Sequence, residues 1–143
     1  MSTSDRKASI RRLYEEAWSQ GQFDVLDTLF AHTYQSAVPG LPPGPAGEQQ
    51  HIATIRSTYP DLHMTVDEMV VTDDAVATRW TMVGTDQGGF MGKPPTLRSV
   101  RFWGVHFFQF RSGRIGSCWT GIDMLGMLSQ LGVVPSPWDP GAD

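Results

Sequence analysis

Apolar side chains recur at the three-to-four-residue spacing of an amphipathic helix near the start of the chain. Ile10, Leu13, Tyr14, Ala17 and Trp18 make one stripe, which predicts a helix over 5–20. Ser4 or Asp5 is placed to cap its start, and Gly21 suits a left-handed stop. Phe23, Leu26, Leu29 and Phe30 predict a short second helix, and 33–38 reads as a brief strand. The stretch PGLPPGPAG, 39–47, is too rich in proline and glycine for a regular element. A third helix is predicted over about 47–58, with Ile52 and Ile55 facing inward and Pro60 stopping it.

Beyond residue 62 the period changes. Segments 63–71 and 75–85 are rich in Val, Thr, Met and Trp and are separated by Asp73-Asp74. Segments 98–110 and 114–122 form a second pair joined by Ser112-Gly113. Between the pairs lies the loop DQGGFMGKPPTL, 86–97. A last helix covers about 123–131 and ends at Gly132, and 133–143 is a tail, either loose or docked through Trp138. Helices followed by antiparallel strands predict an α+β fold in one domain over 1–143, with helices on one face of a curved antiparallel sheet. A hollow between such layers is where small ligands sit. In the first hairpin a two-residue turn sets Glu68 opposite Arg79, most simply as a cross-strand salt bridge.

The same arithmetic applies to the second hairpin. A two-residue turn at Ser112-Gly113 sets Arg111 opposite Arg114 and Phe110 opposite Ile115. Continued without interruption, it sets Phe108 opposite Ser117, His106 opposite Trp119, Gly104 opposite Gly121 and Phe102 opposite Asp123. These side chains then share one face. The other face carries Trp103, Val105, Phe107, Cys118, Thr120 and Ile122, apolar enough that either the core or a sister subunit covers it. Opposed glycines leave a gap over which a ligand could lie, between His106 and Asp123. A bulge at Gly104 or Gly116 would change this register. Each candidate has a plain structural reading beside the functional one. Asp123 opens the last helix and is also suited to capping it. His106, Tyr14, Trp18 and Trp119 also suit a core, and Cys118 reads as inert packing.

Composition narrows the function. The 143 residues carry 11 Lys+Arg against 15 Asp+Glu, a net charge of −4, which lacks the basic footprint of nucleic-acid binding. No apolar run approaches the roughly 18 residues of a membrane span. The polar start, Met1 to Lys7, gives no sign of a signal peptide, so a cytoplasmic protein is expected. The single cysteine, Cys118, excludes an internal disulfide and Cys-rich zinc sites. Histidines 32, 51, 63 and 106 show no metal-ligand spacing, so no metal is expected. Nucleotide-binding and serine-hydrolase motifs are absent from the sequence.

Four stretches, in order, are similar to the SnoaL-like polyketide cyclases: RRLYEEAWSQGQFDVLDTLF, GPAGEQQHIATIRSTYPDLHMTVDEMV, RWTMVGTDQGGFMGKPPT and SGRIGSCWTGIDMLGMLSQLG. The resemblance implies a cone-shaped α+β barrel of the nuclear-transport-factor and ketosteroid-isomerase type, with a deep pocket, homo-oligomeric and without a cofactor. It implies an enzyme that closes rings in polyketide intermediates by intramolecular aldol condensation, with Asp123 at the position of the family's acid/base. The chain departs from the family after Tyr34, where Gln35, Ser36, Ala37, Val38 and Pro39 replace a usual polar pair. Asp86 stands where the family often has His, and Ser117 where it has Glu. A changed lining on a kept scaffold points to a different substrate or reaction.

An aldol closure needs a base stronger than an ordinary aspartate, whose pKa is near 3.9. Burial of Asp123 beside Phe102, Trp119 and Trp18 would raise it. An enolate oxygen needs a donor, for which His106, Gln35, Tyr14 and Tyr34 are candidates. Three readings stand: a cyclase working on a polyketide-type small molecule as a homodimer, a cofactor-free hydroxylase on the same scaffold, and a non-catalytic binding module.

Overall fold

The computed structural model describes residues 1–136. Helix α1, Thr3–Arg12, is capped by Ser2 rather than by Ser4 or Asp5. The Ser2 hydroxyl accepts from the Asp5 N–H at 3.1 Å while the Asp5 carboxylate accepts from the Ser2 N–H at 2.9 Å, a reciprocal capping box. The chain then widens into a π-helix, Leu13–Trp18, closed by the Ser19 N–H on the Tyr14 carbonyl at 3.0 Å. Leu13, Tyr14, Ala17 and Trp18 are all buried. The predicted stripe therefore holds, with its second half wound more loosely than an α-helix.

A short α2, Leu26–Leu29, follows. Residues 33–38 form no strand. The chain instead makes one bridge, Phe30 to Ile115, and turns with the Tyr34 N–H on the Ala31 carbonyl. The prolines that follow remove donors that a longer ladder would need. Helix α3, Pro45–Thr58, starts two residues before the predicted boundary, with Pro45 in its first turn, where a missing N–H costs nothing.

Strands β1 (His63–Val71), β2 (Ala75–Thr85), β3 (Ser99–Arg111) and β4 (Arg114–Ile122) form one antiparallel sheet in chain order. Its concave face supplies Met64, Val76, Trp80, Met82, Val100, Phe102, Phe108 and Ile115 to a core shared with Ile10, Leu26, Phe30 and Ile52 from the helices. This is the α+β curved-sheet architecture that the pattern of periods predicts. A bulge between Val66 and Glu68 bends β1. Glu68 pairs with Arg79 as expected, their charged groups 3.2 Å apart.

The last hairpin corrects the expected register. Arg111 meets Arg114 and Phe110 meets Ile115, but Gln109 meets Ser117, leaving Gly116 as an extra residue. From there every pairing slips by one, and a slip of one turns each side chain to the opposite face. His106 faces Thr120 rather than Trp119, and Gly104 faces Ile122 rather than Gly121. Cys118, Thr120 and Ile122 therefore share the face of His106, while Trp119 and Gly121 join Trp103, Val105 and Phe107 outside.

Helix α4, Met124–Gln130, packs Met127 into the core. Beyond the end of β4, Gln130 takes over as the partner of β3. Its amide accepts from the Arg101 N–H at 2.7 Å and donates to the Arg101 carbonyl at 2.8 Å. Trp138 lies outside the described residues. Among the described residues no helix is long and apolar enough to cross a membrane.

Candidate active site

The concave sheet and the helices enclose a cavity of about 290 Å³. Met64, Trp80, Met82, Phe102, His106 and Phe108 form its sheet wall; Trp18, Glu48, His51, Ile55 and Tyr59 form its helical wall. Tyr34, Phe90 and Met127 also line it, and Ala37, Val38, Thr120, Ile122 and Met124, all exposed, rim its mouth. Seen as a whole the lining is aromatic and apolar with a few inward polar groups, the usual makeup of a small-molecule site. No Lys or Arg lines it.

His106 is the polar centre of the sheet wall. The inward alternation of β3 buries it between Phe108, 5.2 Å away between ring centroids, and Trp80, 5.3 Å away. Its Nδ1 lies 2.5 Å from the Tyr14 hydroxyl, which lies 2.7 Å from Thr78 Oγ1. The π-helix carries Tyr14 to this point, and the β2–β3 register sets Thr78 directly opposite His106. Burial, with a smaller contribution from His51, lowers the His106 pKa to about 3, so the ring is neutral at physiological pH. If Thr78 donates to Tyr14 and Tyr14 to Nδ1, then Nε2 carries the proton and can donate to a ligand; the reverse chain leaves Nε2 an acceptor. In both cases Nδ1 is engaged and the ring orientation is fixed.

Glu48 is the polar centre of the helical wall. It stands in the first turn of α3 on the same face as Ile52 and Ile55, and is 6% exposed. Its Oε2 accepts from the Tyr34 hydroxyl at 3.2 Å. Burial pushes its carboxyl up to about 7, against the Tyr34 bond, which favours the charge. A helix N-terminus also favours a carboxylate, but by only about 0.3–1 kcal/mol. His51 follows one turn on, edge to face with Trp18, and burial lowers its pKa. Cys118, half-buried, is pushed up to about 12 by burial and by Glu48. Among the described residues no group of three or more His, Cys, Asp or Glu is placed to hold a metal ion.

The sequence-derived candidates divide. His106, Trp18, Tyr34 and Phe102 line the cavity, and Tyr14 supports His106 from behind. Gln35 is exposed and turns toward the Leu41 carbonyl. Trp119 is 71% exposed on the outer sheet face, and Gly121 points the same way. The expected glycine gap does not form. A Cβ on Gly104 would lie 2.2 Å from Trp80 Cζ2, so the space over Gly104 is filled by the indole of its cross-strand partner. Asp123 leaves the ladder with its N–H on the Trp103 carbonyl, and its carboxylate accepts from the Gly126 N–H at 3.0 Å as the cap of α4. It sits between the rim residues Ile122 and Met124 but does not itself line the cavity. Glu48, His51 and Thr78 are the polar groups that the sequence did not single out for the site, and Cys118, read there as inert packing, lines the cavity. The available signal was a charged residue on the apolar stripe of a helix, Glu48 with Ile52 and Ile55.

Comparison with known proteins agrees with this geometry. No curated protein matches the chain. TsrD from Streptomyces laurentii superposes with a TM-score of 0.87 at 25% identity, covering 94% of this chain and 99% of that one. IdmH from Streptomyces antibioticus, a proposed polyketide cyclase, is 35% identical, with a TM-score of 0.75 over 89% of this chain and 98% of its own. AclR from Streptomyces galilaeus, a proposed hydroxylase, is 26% identical, with a TM-score of 0.81 over 94% and 89%. The SnoaL-like polyketide cyclase model matches residues 8–131, nearly the whole described chain. With the cone-like sheet, the aromatic hollow and this match in agreement, the chain belongs to the SnoaL-like polyketide cyclase family.

Proposed function

We propose that this protein is a cyclase that closes a ring in a polyketide-type small molecule by acid/base chemistry within its cavity, using its own side chains and no cofactor. The observation that carries the reading is the chain Thr78–Tyr14–His106, which holds a neutral imidazole in one orientation on the wall of an enclosed aromatic hollow. A polar group fixed before the substrate arrives stabilises developing charge on a carbonyl oxygen without reorganising. The aromatic walls hold a flexible chain folded, which removes part of the entropic barrier to closure. Family membership and the likeness to IdmH support the same reading.

Asp123 is the acid/base that the family resemblance assigns. Its place at the cavity rim is compatible with contact to a substrate that protrudes from the mouth. The likeness to AclR favours a second reading, oxygen insertion on the same scaffold. Incubation with a linear poly-β-ketone ester separates the two. A product of unchanged mass, or one lacking a single water, supports cyclisation. A product gaining one oxygen supports hydroxylation, and binding without conversion leaves only a carrier. We further propose that the protein works as a homodimer in the cytoplasm of a cell that makes polyketide metabolites.

A further inference from the structure

We propose that Glu48, not Asp123, takes and returns the substrate proton, from the wall of the cavity that faces His106. This rests on the reading of the cavity as a cyclase site. Three observations lead to it. First, Glu48 lines the cavity and is buried, yet no Lys or Arg lies on the lining to pair with it. A buried structural carboxylate is normally paired, because leaving it unpaired costs several kcal/mol. Its only hydrogen-bond partner among the described residues is the Tyr34 hydroxyl, on Oε2, so Oε1 is left for a ligand.

Second, Glu48 alone in the lining is brought toward neutrality. Tyr34 behind it, Tyr59 at the end of α3, and Cys118 on β4 are all raised by burial. His106 on β3 and His51 on its own helix are lowered by burial. Tyr14 in the π-helix, behind His106, is raised as well. Each of these shifts favours the uncharged form at neutral pH, while Glu48 is brought to where it exchanges a proton, which is what a general base working near pH 7 requires.

Third, the lining carries the Ser36 and Thr120 hydroxyls and the His106 ring but no Lys or Arg. Donors without a cation suit an uncharged substrate rich in carbonyl oxygens. The step then balances. The Glu48 carboxylate takes a proton from carbon beside a carbonyl, and the electron pair moves to that oxygen, which the Nε2–H of His106 holds when Tyr14 donates to Nδ1. The enolate carbon bonds to a second carbonyl carbon, whose oxygen receives the proton back from the Glu48 carboxyl.

The test uses nitrobenzisoxazole, a flat uncharged probe from which a buried base removes a ring C–H proton, breaking the N–O bond to give a coloured phenolate. Wild-type protein is expected to accelerate this with a rate that rises with pH about a midpoint near 7. Glu48→Gln is expected to lower the rate at least about 100-fold. A glutamate carboxyl resonance titrating near 7 should be present in wild type and missing from a Glu48→Gln protein with native circular dichroism. No acceleration by wild type, an undiminished rate in folded Glu48→Gln, or loss of the rate in Asp123→Asn instead would overturn the proposal. The poly-β-ketone assay separates the two readings. Cyclisation equal in wild type and Glu48→Gln sinks this proposal and keeps the cyclase. Probe turnover through Glu48 without any cyclisation does the reverse.

Discussion

The Tyr14 hydroxyl lies 2.5 Å from His106 Nδ1, although the two residues are 92 positions apart in the chain. Both groups are buried, so neither has water to turn to when the other is removed. Tyr14→Phe keeps the ring but leaves Nδ1 unpaired, and Thr78 Oγ1 loses the same partner. A buried polar group left without its partner costs about 1–3 kcal/mol. The expected outcome is a melting temperature lower by several degrees, read by thermal denaturation, with the fold intact by circular dichroism. An unchanged melting temperature would show that the bond contributes nothing net.

Trp80 and Gly104 make a second paired prediction. Gly104 is required by a close approach rather than by an unusual backbone angle, since an added Cβ would meet three atoms of the Trp80 indole between 2.2 and 2.7 Å. Gly104→Ala forces the ring off its position and into the cavity. Overpacking of this kind costs about 1–3 kcal/mol. The expected result is a lower melting temperature together with a shifted tryptophan emission and weaker binding of an aromatic probe. A wild-type emission spectrum would contradict the packing described.

These two relationships show where the sequence was legible and where it was not. All four strands and the helices α1 and α3 follow from hydrophobic period and turn residues, because those signals are local. The Glu68–Arg79 pairing was legible for the same reason: the turn at Asp73-Asp74 sits only a few residues away. The second hairpin failed beyond Gly116 because a bulge is a response to how the sheet must bend, and one extra residue inverts every side chain after it. That inversion moved Trp119 outward, moved Thr120 inward and took Asp123 out of line with Phe102. His106 survived the error, because its facing is set by the alternation of β3 itself. Glu48 was missed for a different reason. A carboxylate near a helix start reads as a solvated, dipole-favoured residue. What meets it in the fold is the Tyr34 hydroxyl, and that packing is tertiary.

The outer sheet face carries the third prediction. Trp103, Val105, Phe107 and Trp119 stand together, between 42% and 71% exposed. A contiguous exposed apolar cluster of this kind marks a contact surface. The homodimer proposed above would cover it with a second copy. Light scattering at micromolar concentration is expected to give twice the chain mass for wild type. Phe107→Glu is expected to give a monomer with an unchanged fold. A wild-type monomer would remove the proposal.

The last prediction concerns pH. The Glu48 carboxyl has an ordinary value of 4.5 and is raised to about 7 in the fold. Between those values the native state holds a proton that the unfolded state has lost, so this group makes stability fall as pH rises. The His106 ring goes the other way, from 6.5 to about 3. In that window the unfolded state holds the proton, so this group makes stability rise with pH. His51, also lowered, has the same sign. The wild-type profile between pH 4.5 and 6.5 is therefore flattened by opposing slopes. Glu48→Gln removes only the falling contribution. Subtracting the wild-type unfolding free energy from that of Glu48→Gln, measured by urea denaturation, should give a difference that climbs from about pH 4.5 and levels off above about pH 7. A tenfold change in proton affinity corresponds to about 1.4 kcal/mol, which bounds the climb at roughly 3–4 kcal/mol. A difference that is flat over this range would mean that Glu48 titrates as an ordinary solvated carboxylate. It would then have no claim to act as a base near neutral pH.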